Sequence, residues 1–180
     1  ILFAIEQTPA STVFVLPNNK NIIMAAEQTV KLSTRKVVVL PTRTIPQGIT
    51  AMLNFDPDSD ADTNAEAMQA AYANVQTGQV TFAARDSDYD GHQIKKGELL
   101  ALANGKVSFT ETDLEKCVIK LTQDISTDAS AFVTLIHGED VSEADAEKIS
   151  ASLQEALGSE VEVTLVNGGQ PVYYFIISVE

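Results

Sequence analysis

The side chains of this sequence that could act on a ligand gather in its loops. Asp86-Ser87-Asp88-Tyr89-Asp90-Gly91 repeats the first six positions of a calcium loop, where alternating carboxylates point inward and a glycine makes the bend. The glutamate that should close such a loop would stand at Gly97; Glu98 falls one position late, Lys95 and Lys96 add positive charge, and the flanking runs look like strands. The segment therefore reads as a polar turn between strands, with calcium binding as the alternative. Asp56 to Asp62 offers carboxylates without a glycine bend or a histidine and reads as a solvated acidic loop. Arg85 sits at a strand end, suited either to a carboxylate or phosphate or to an ion pair with a neighbouring aspartate. His137-Gly138-Glu139-Asp140 follows a buried run, where open α/β folds place functional loops, but a catalytic role would need an orienting carboxylate and a nucleophile beside it. His92 carries less weight, inside a turn or strand start.

A different kind of signal lies in Leu16-Pro17-Asn18-Asn19-Lys20-Asn21-Ile22, where a strand opens into a helix through three asparagines. Pro17 fixes the exit, and Asn18 or Asn19 suffices to cap the helix. Asn21 and Lys20 exceed what a turn needs, leaving hydrogen-bonding groups at the carboxyl end of a strand. Gly168-Gly169-Gln170-Pro171 reads as a hairpin loop needing positive φ, or else as a ligand loop. Cys117, the single cysteine, excludes an internal disulfide; at helical spacing with Leu114, Val118 and Leu121 it reads as a core thiol and suits a reducing cytosol. The sequence has no phosphate-binding Gly-x-x-x-x-Gly-Lys-Ser/Thr loop, no Gly-x-Gly-x-x-Gly, no Gly-x-Ser-x-Gly elbow and no zinc-like cluster, so it reads as non-catalytic.

The elements that must carry these loops follow from periodicity. Val13 to Leu16, a helical face with Ile22, Ile23, Ala26 and Val30, and Val37 to Leu40 make a β-α-β unit. A helix with Pro46 in its first turn follows, then one started by Thr63 with Glu66 and ended by Gly78, with Met68, Ala71, Tyr72 and Val75 as its buried stripe. Val80 to Ala84 reads as a strand, and Asn104-Gly105 turns a hairpin. Thr112 with Glu115 and Ser142 start two amphipathic helices around the buried run Phe132 to Ile136, and Val161 to Val166 and Val172 to Val179 finish the chain. The expected fold is α/β: a first lobe over residues 1–90, and a hairpin plus second lobe over residues 91–180, with mixed, largely parallel sheets.

With 180 residues, 44% of them hydrophobic, the chain can bury a core without staples. Its 25 acidic residues against 12 basic ones give a net charge of −13, which repels nucleic acid and anionic lipid. No apolar stretch is long enough to cross a bilayer, and a secretory signal is not evident. The beginning at Ile1 reads as an excised piece of a longer, cytoplasmic protein.

Leu16 to Ile22, Pro41-Thr42 with Ile45-Pro46-Gln47-Gly48, Arg85-Asp86, Ile94-Lys95-Lys96-Gly97 and Gly168 to Tyr173 together resemble the C-terminal region of the bacterial fatty acid kinase ATP-binding subunit, of the dihydroxyacetone kinase-like family. The resemblance implies a DegV-like fold and a DegV-type fatty-acid-binding protein as partner. It implies that ATP and magnesium belong to a kinase domain outside this sequence, which makes an acyl phosphate from the carried fatty acid, and that the full-length chain can form a homodimer. For this segment it implies no cofactor and no catalytic or metal residue, and a partner surface made by Asn18, Asn19, Asn21, Thr42, Gln47, Gly48, Arg85, His137 and Gln170. The alternative is a DegV-like domain that itself holds a fatty acid, although His137-Gly138-Glu139-Asp140 lacks the proline and second glycine of the carriers' histidine segment.

Overall fold

The computed structural model describes residues 1–89 and 92–180; Asp90, Gly91 and the side chains of Tyr89 and His92 lie outside the described residues. The chain forms two compact units, Ile1–Val75 and Gln76–Glu180. The division falls fifteen residues or so before the one expected near residue 90, because the strand that starts at Gln76 is hydrogen-bonded into the second unit's sheet.

The first unit runs α1 (Leu2–Gln7), β1 (Thr12–Val15), α2 (Ile23–Thr29), β2 (Lys36–Val39), α3 (Ile45–Leu53) and α4 (Ala61–Tyr72). β1 and β2 pair in parallel from Thr12↔Lys36 to Val15↔Val39, the β-α-β unit expected from the sequence. Leu40, Ala51, Met68, Tyr72 and Val75 form its core, with Phe14, Leu16, Val38 and Ala65 packed against it. The ends of the helices correct two expectations. α2 starts at Ile23 without a side-chain cap; Asn19 instead shapes the turn ahead of it, its Oδ1 accepting from Asn21 N at 2.9 Å. α4 is capped by Asp60 rather than Thr63: the carboxylate accepts from Asp62 N and Thr63 N, and Thr63 Oγ1 donates to it at 3.0 Å. A carboxylate capping the first turn also meets the positive end of the helix dipole. These bonds hold the Asp60 carboxyl below its ordinary pKa, the Thr63 N–H contributing most.

The second unit contains β3 (Gln76–Phe82), β4 (Ser87–Tyr89), β5 (His92–Ile94), β6 (Leu99–Ala103), β7 (Lys106–Glu111), α5 (Leu114–Ile125), β8 (Phe132–His137), α6 (Glu143–Leu157), β9 (Glu162–Asn167) and β10 (Phe175–Val179). Its six-stranded sheet has the order β7-β6-β3-β10-β8-β9. β8 and β9 are parallel and every other neighbouring pair is antiparallel, so the sheet is mixed as expected, while parallel pairing dominates only in the first unit. The excess of antiparallel pairs follows from connections too short for crossovers, such as the hairpin at Asn104 (φ 51°) and Gly105 (φ 80°).

Two glycine readings change in this unit. Gly78 does not end a helix; it lies inside β3, where a Cβ would stand 3.0 Å from Leu121 Cδ2 and 3.2 Å from Ile125 Cδ1, so its bareness lets α5 press onto the sheet. Residues 168–171 do not turn a hairpin, because β8 lies between β9 and β10. Ser142 caps α6 as expected, accepting from Asp145 N, whereas Asp113 and not Thr112 caps α5, accepting from Lys116 N at 2.9 Å. Cys117 is fully buried in the core with Val118, Leu121 and Leu135, and burial is the main cause pushing its thiol up to about 12.

Candidate functional site

In the first unit, the loops after β1 and β2 close onto each other. Asn18 takes a left-handed backbone (φ 54°), which asparagine tolerates better than other side-chain-bearing residues. Its N–H donates to Thr42 Oγ1 at 3.0 Å, and the fully buried Thr42 hydroxyl donates back to Asn18 Oδ1 at 2.8 Å. The Asn18 carboxamide lies across buried Gly48, where a Cβ would overlap it. Gln47 Oε1 accepts from Arg43 N at 2.7 Å, and Gln47 N donates to the Thr44 cap at 3.4 Å. Thus Asn18, Thr42, Gln47 and Gly48 come together as the sequence suggests, but much of their hydrogen-bonding capacity is turned on one another. Asn19 and Asn21 are exposed on the preceding turn.

What this closed loop pair presents outward is apolar. Pro46, Gly48, Thr50 and Ala51 face inward from α3, while Ile45, Ile49, Met52 and Leu53 are exposed, Leu53 at 79%. Their spacing, i, i+4, i+7 and i+8, places them along one side of the helix. A cavity of about 340 Å³ opens there, lined by Leu16, Asn18, Gly48, Ile49, Met52 and Leu53. The sequence reading missed these α3 residues. Their helical spacing was the available signal, although a lone apolar stripe is ordinarily taken for core.

The other expected residues lie in the second unit. Arg85 is exposed and without an ion-pair partner among the described residues. Gln170 is a latch: its Nε2 donates to Ile136 O at 2.9 Å, and its own carbonyl accepts from Glu139 N at 3.1 Å. Gly138 passes so close to the carbonyls of Tyr173 and Gln170 that a Cβ would overlap both. His137, 4% exposed, ends β8; its carbonyl accepts from Gly168 N and Gly169 N. Asp86 Oδ1 accepts from Lys96 N at 2.7 Å, which fastens the segment read as a calcium loop. The Asp90 carboxylate and Gly91 bend of that reading, and the His92 side chain, lie outside the described residues.

Together these units define a mixed α/β protein with polar loops at strand ends, and comparison with known proteins places it. The chain belongs to the FakA-like C-terminal family, made up of the C-terminal parts of fatty acid kinase subunits, whose model matches residues 1–180. It is 42% identical over 181 residues to Protein YloV of Bacillus subtilis, covering 100% of this chain and 32% of that protein. The chain therefore spans about a third of the length of this relative. In fold it is similar to the DegV family protein Cg2579 from Corynebacterium glutamicum, with a TM-score of 0.67 at 12% identity, over 98% of this chain and 77% of that one. It is also similar to the dihydroxyacetone kinase of C. freundii, with a TM-score of 0.65 at 16% identity, over 99% of this chain and 40% of that one. No described helix is long and apolar enough to cross a membrane.

Proposed function

We propose that this chain is a recruitment domain without chemistry of its own, which docks a DegV-type fatty-acid-binding protein. The bound fatty acid is then phosphorylated to acyl phosphate by an ATP- and magnesium-dependent kinase domain elsewhere in a longer protein. Membership of the fatty acid kinase family supplies the reaction class. The observation that carries the docking role is the exposed stripe of Ile45, Ile49, Met52 and Leu53 beside the locked Asn18, Thr42 and Gly48. Apolar side chains held on a short rigid helix lose little freedom on association, and removing them from water drives it. Asn19, Asn21 and Arg85 would add hydrogen bonds and charge at the rim, where they govern orientation more than affinity.

Calorimetric titration of the chain with a fatty-acid-loaded DegV-type protein tests this reading. Saturable association is expected, weakened roughly 100-fold by Ile49→Glu with Met52→Glu, the range seen for central apolar anchors. An absence of heat and of co-elution from a sizing column would refute it. A second reading, a DegV-like domain holding a fatty acid itself, is favoured by the 340 Å³ apolar cavity. Native mass spectrometry of the purified chain distinguishes the two, since a retained acyl chain adds its own mass.

A further inference from the structure

We propose that the cavity between α6 and the strands β8 and β9 binds an organic cation, an ammonium or guanidinium group carried on an aliphatic stem. The cavity has a volume of about 530 Å³, and its polar lining includes His137, Glu143, Glu147 and Asn167. Glu143 and Glu147 stand one turn apart on α6, so both carboxylates project on one side of the helix. No lysine or arginine lines the cavity, and the neighbouring Lys148 is drawn to Glu115, 3.0 Å away. In a chain of net charge −13, this cavity repels carboxylates and phosphates and attracts cations.

The carboxylates alone would be a solvated helix face; the imidazole makes the difference. His137 is 4% exposed, lines the same cavity, and its buried Nδ1 has no hydrogen-bond partner among the described residues. A buried ring nitrogen without a partner is an exception that a ligand N–H would resolve. His137 cannot easily turn away, because its backbone is held in register opposite Asn167 and its carbonyl accepts from Gly168 and Gly169. The wall is held as well: Gln154 Nε2 donates to Gly158 O and Val161 O, and its Oε1 accepts from Val163 N.

The nature of the cation follows from the remaining lining. Among the described residues no three His, Cys, Asp or Glu side chains are grouped to hold a metal ion. A cation that meets separated acceptors must carry several N–H donors, as ammonium and guanidinium groups do. Val163 and Leu165, two apart on β9 and so on one face of the sheet, together with Ala151 supply apolar surface for methylene groups.

The test is calorimetry on the whole chain at low ionic strength with agmatine, with Nα-acetyl-arginine amide, and with butyrate as the anionic control. Saturable binding of at least one cation and none of butyrate is expected, weakened roughly ten-fold by Glu147→Gln or Glu143→Gln, both exposed sites where the fold is unaffected. Nitrogen-resolved NMR should show the His137 ring signals moving along the same titration. Tighter binding of agmatine would identify a free small cation as the source; tighter binding of the capped arginine would identify a side chain of another protein. No saturable binding of either, or binding unchanged in both variants, overturns the proposal.

Discussion

In the first unit, Asn18 and Thr42 exchange hydrogen bonds above Gly48, and the surface beside them is apolar; in the second, His137 is buried with a nitrogen unmatched while two carboxylates face the same cavity. Both lie at the carboxyl ends of parallel strands, where α/β folds place ligands. Satisfied polar groups act as scaffold and leave recognition to what they hold in place, whereas an unsatisfied one points to a missing partner. The asparagines that mark the first loop most strongly in sequence are thus more structural than expected, and the histidine beside the second cavity has the sharper chemical signal.

The largest effect that would test this contrast is expected at Gly138. Its Cβ would meet two backbone carbonyls that cannot swing aside, so Gly138→Ala should lower unfolding free energy by about 2–3 kcal/mol in urea denaturation. An unchanged midpoint would mean that the loop behind His137 is not held as tightly as described. Gly48→Ala should be milder, about 1–2 kcal/mol, because the obstructing group is the Asn18 side chain and only its bond with Thr42 has to break. If carrier binding falls while stability hardly moves, the lock serves recognition; equal loss of stability without loss of binding would reduce it to scaffold.

A smaller, pH-dependent effect is expected at Asp60. Its folded carboxyl lies below the ordinary value, so its stabilising contribution is complete above the ordinary carboxylate range and disappears as pH falls through the folded value. Asp60→Asn should narrow the gap in melting temperature between pH 7 and pH 3 while preserving most of the neutral-pH cap. Glu6 and Asp56, also held low by hydrogen bonds in this unit, will keep part of that gap open.

Where a local pattern dictated structure, the sequence was readable. The β1-α2-β2 periodicity, the Asn104-Gly105 turn and the Ser142 cap each concern residues within a few positions of one another, and each appears as expected. Non-local facts were hidden. Gly78 looks like a helix terminator until Leu121 and Ile125, more than forty residues on, press against it. Residues 168–171 look like a hairpin because nothing nearby reveals that β8 separates β9 from β10. Asp60 and Asp113 took the caps that neighbouring threonines seemed to announce, since an ionised acceptor competes well for the first N–H groups of a helix. The partner residues Asn18, Thr42 and Gly48 were found together, while the α3 stripe and the acidic cavity went unseen because each depends on which side of a helix faces water.

The central place of β10 has a consequence for biosynthesis. Residues 175–179 leave the ribosome after every other strand of their sheet, yet they alone join the ribbon β7-β6-β3 to the ribbon β8-β9. Until they arrive, β3 and β8 each offer an open row of peptide groups to any extended chain nearby. A nascent second unit halted before Phe175 should therefore be protease-sensitive and prone to pairing with its neighbours on the same messenger, and release of the last few residues should make it compact.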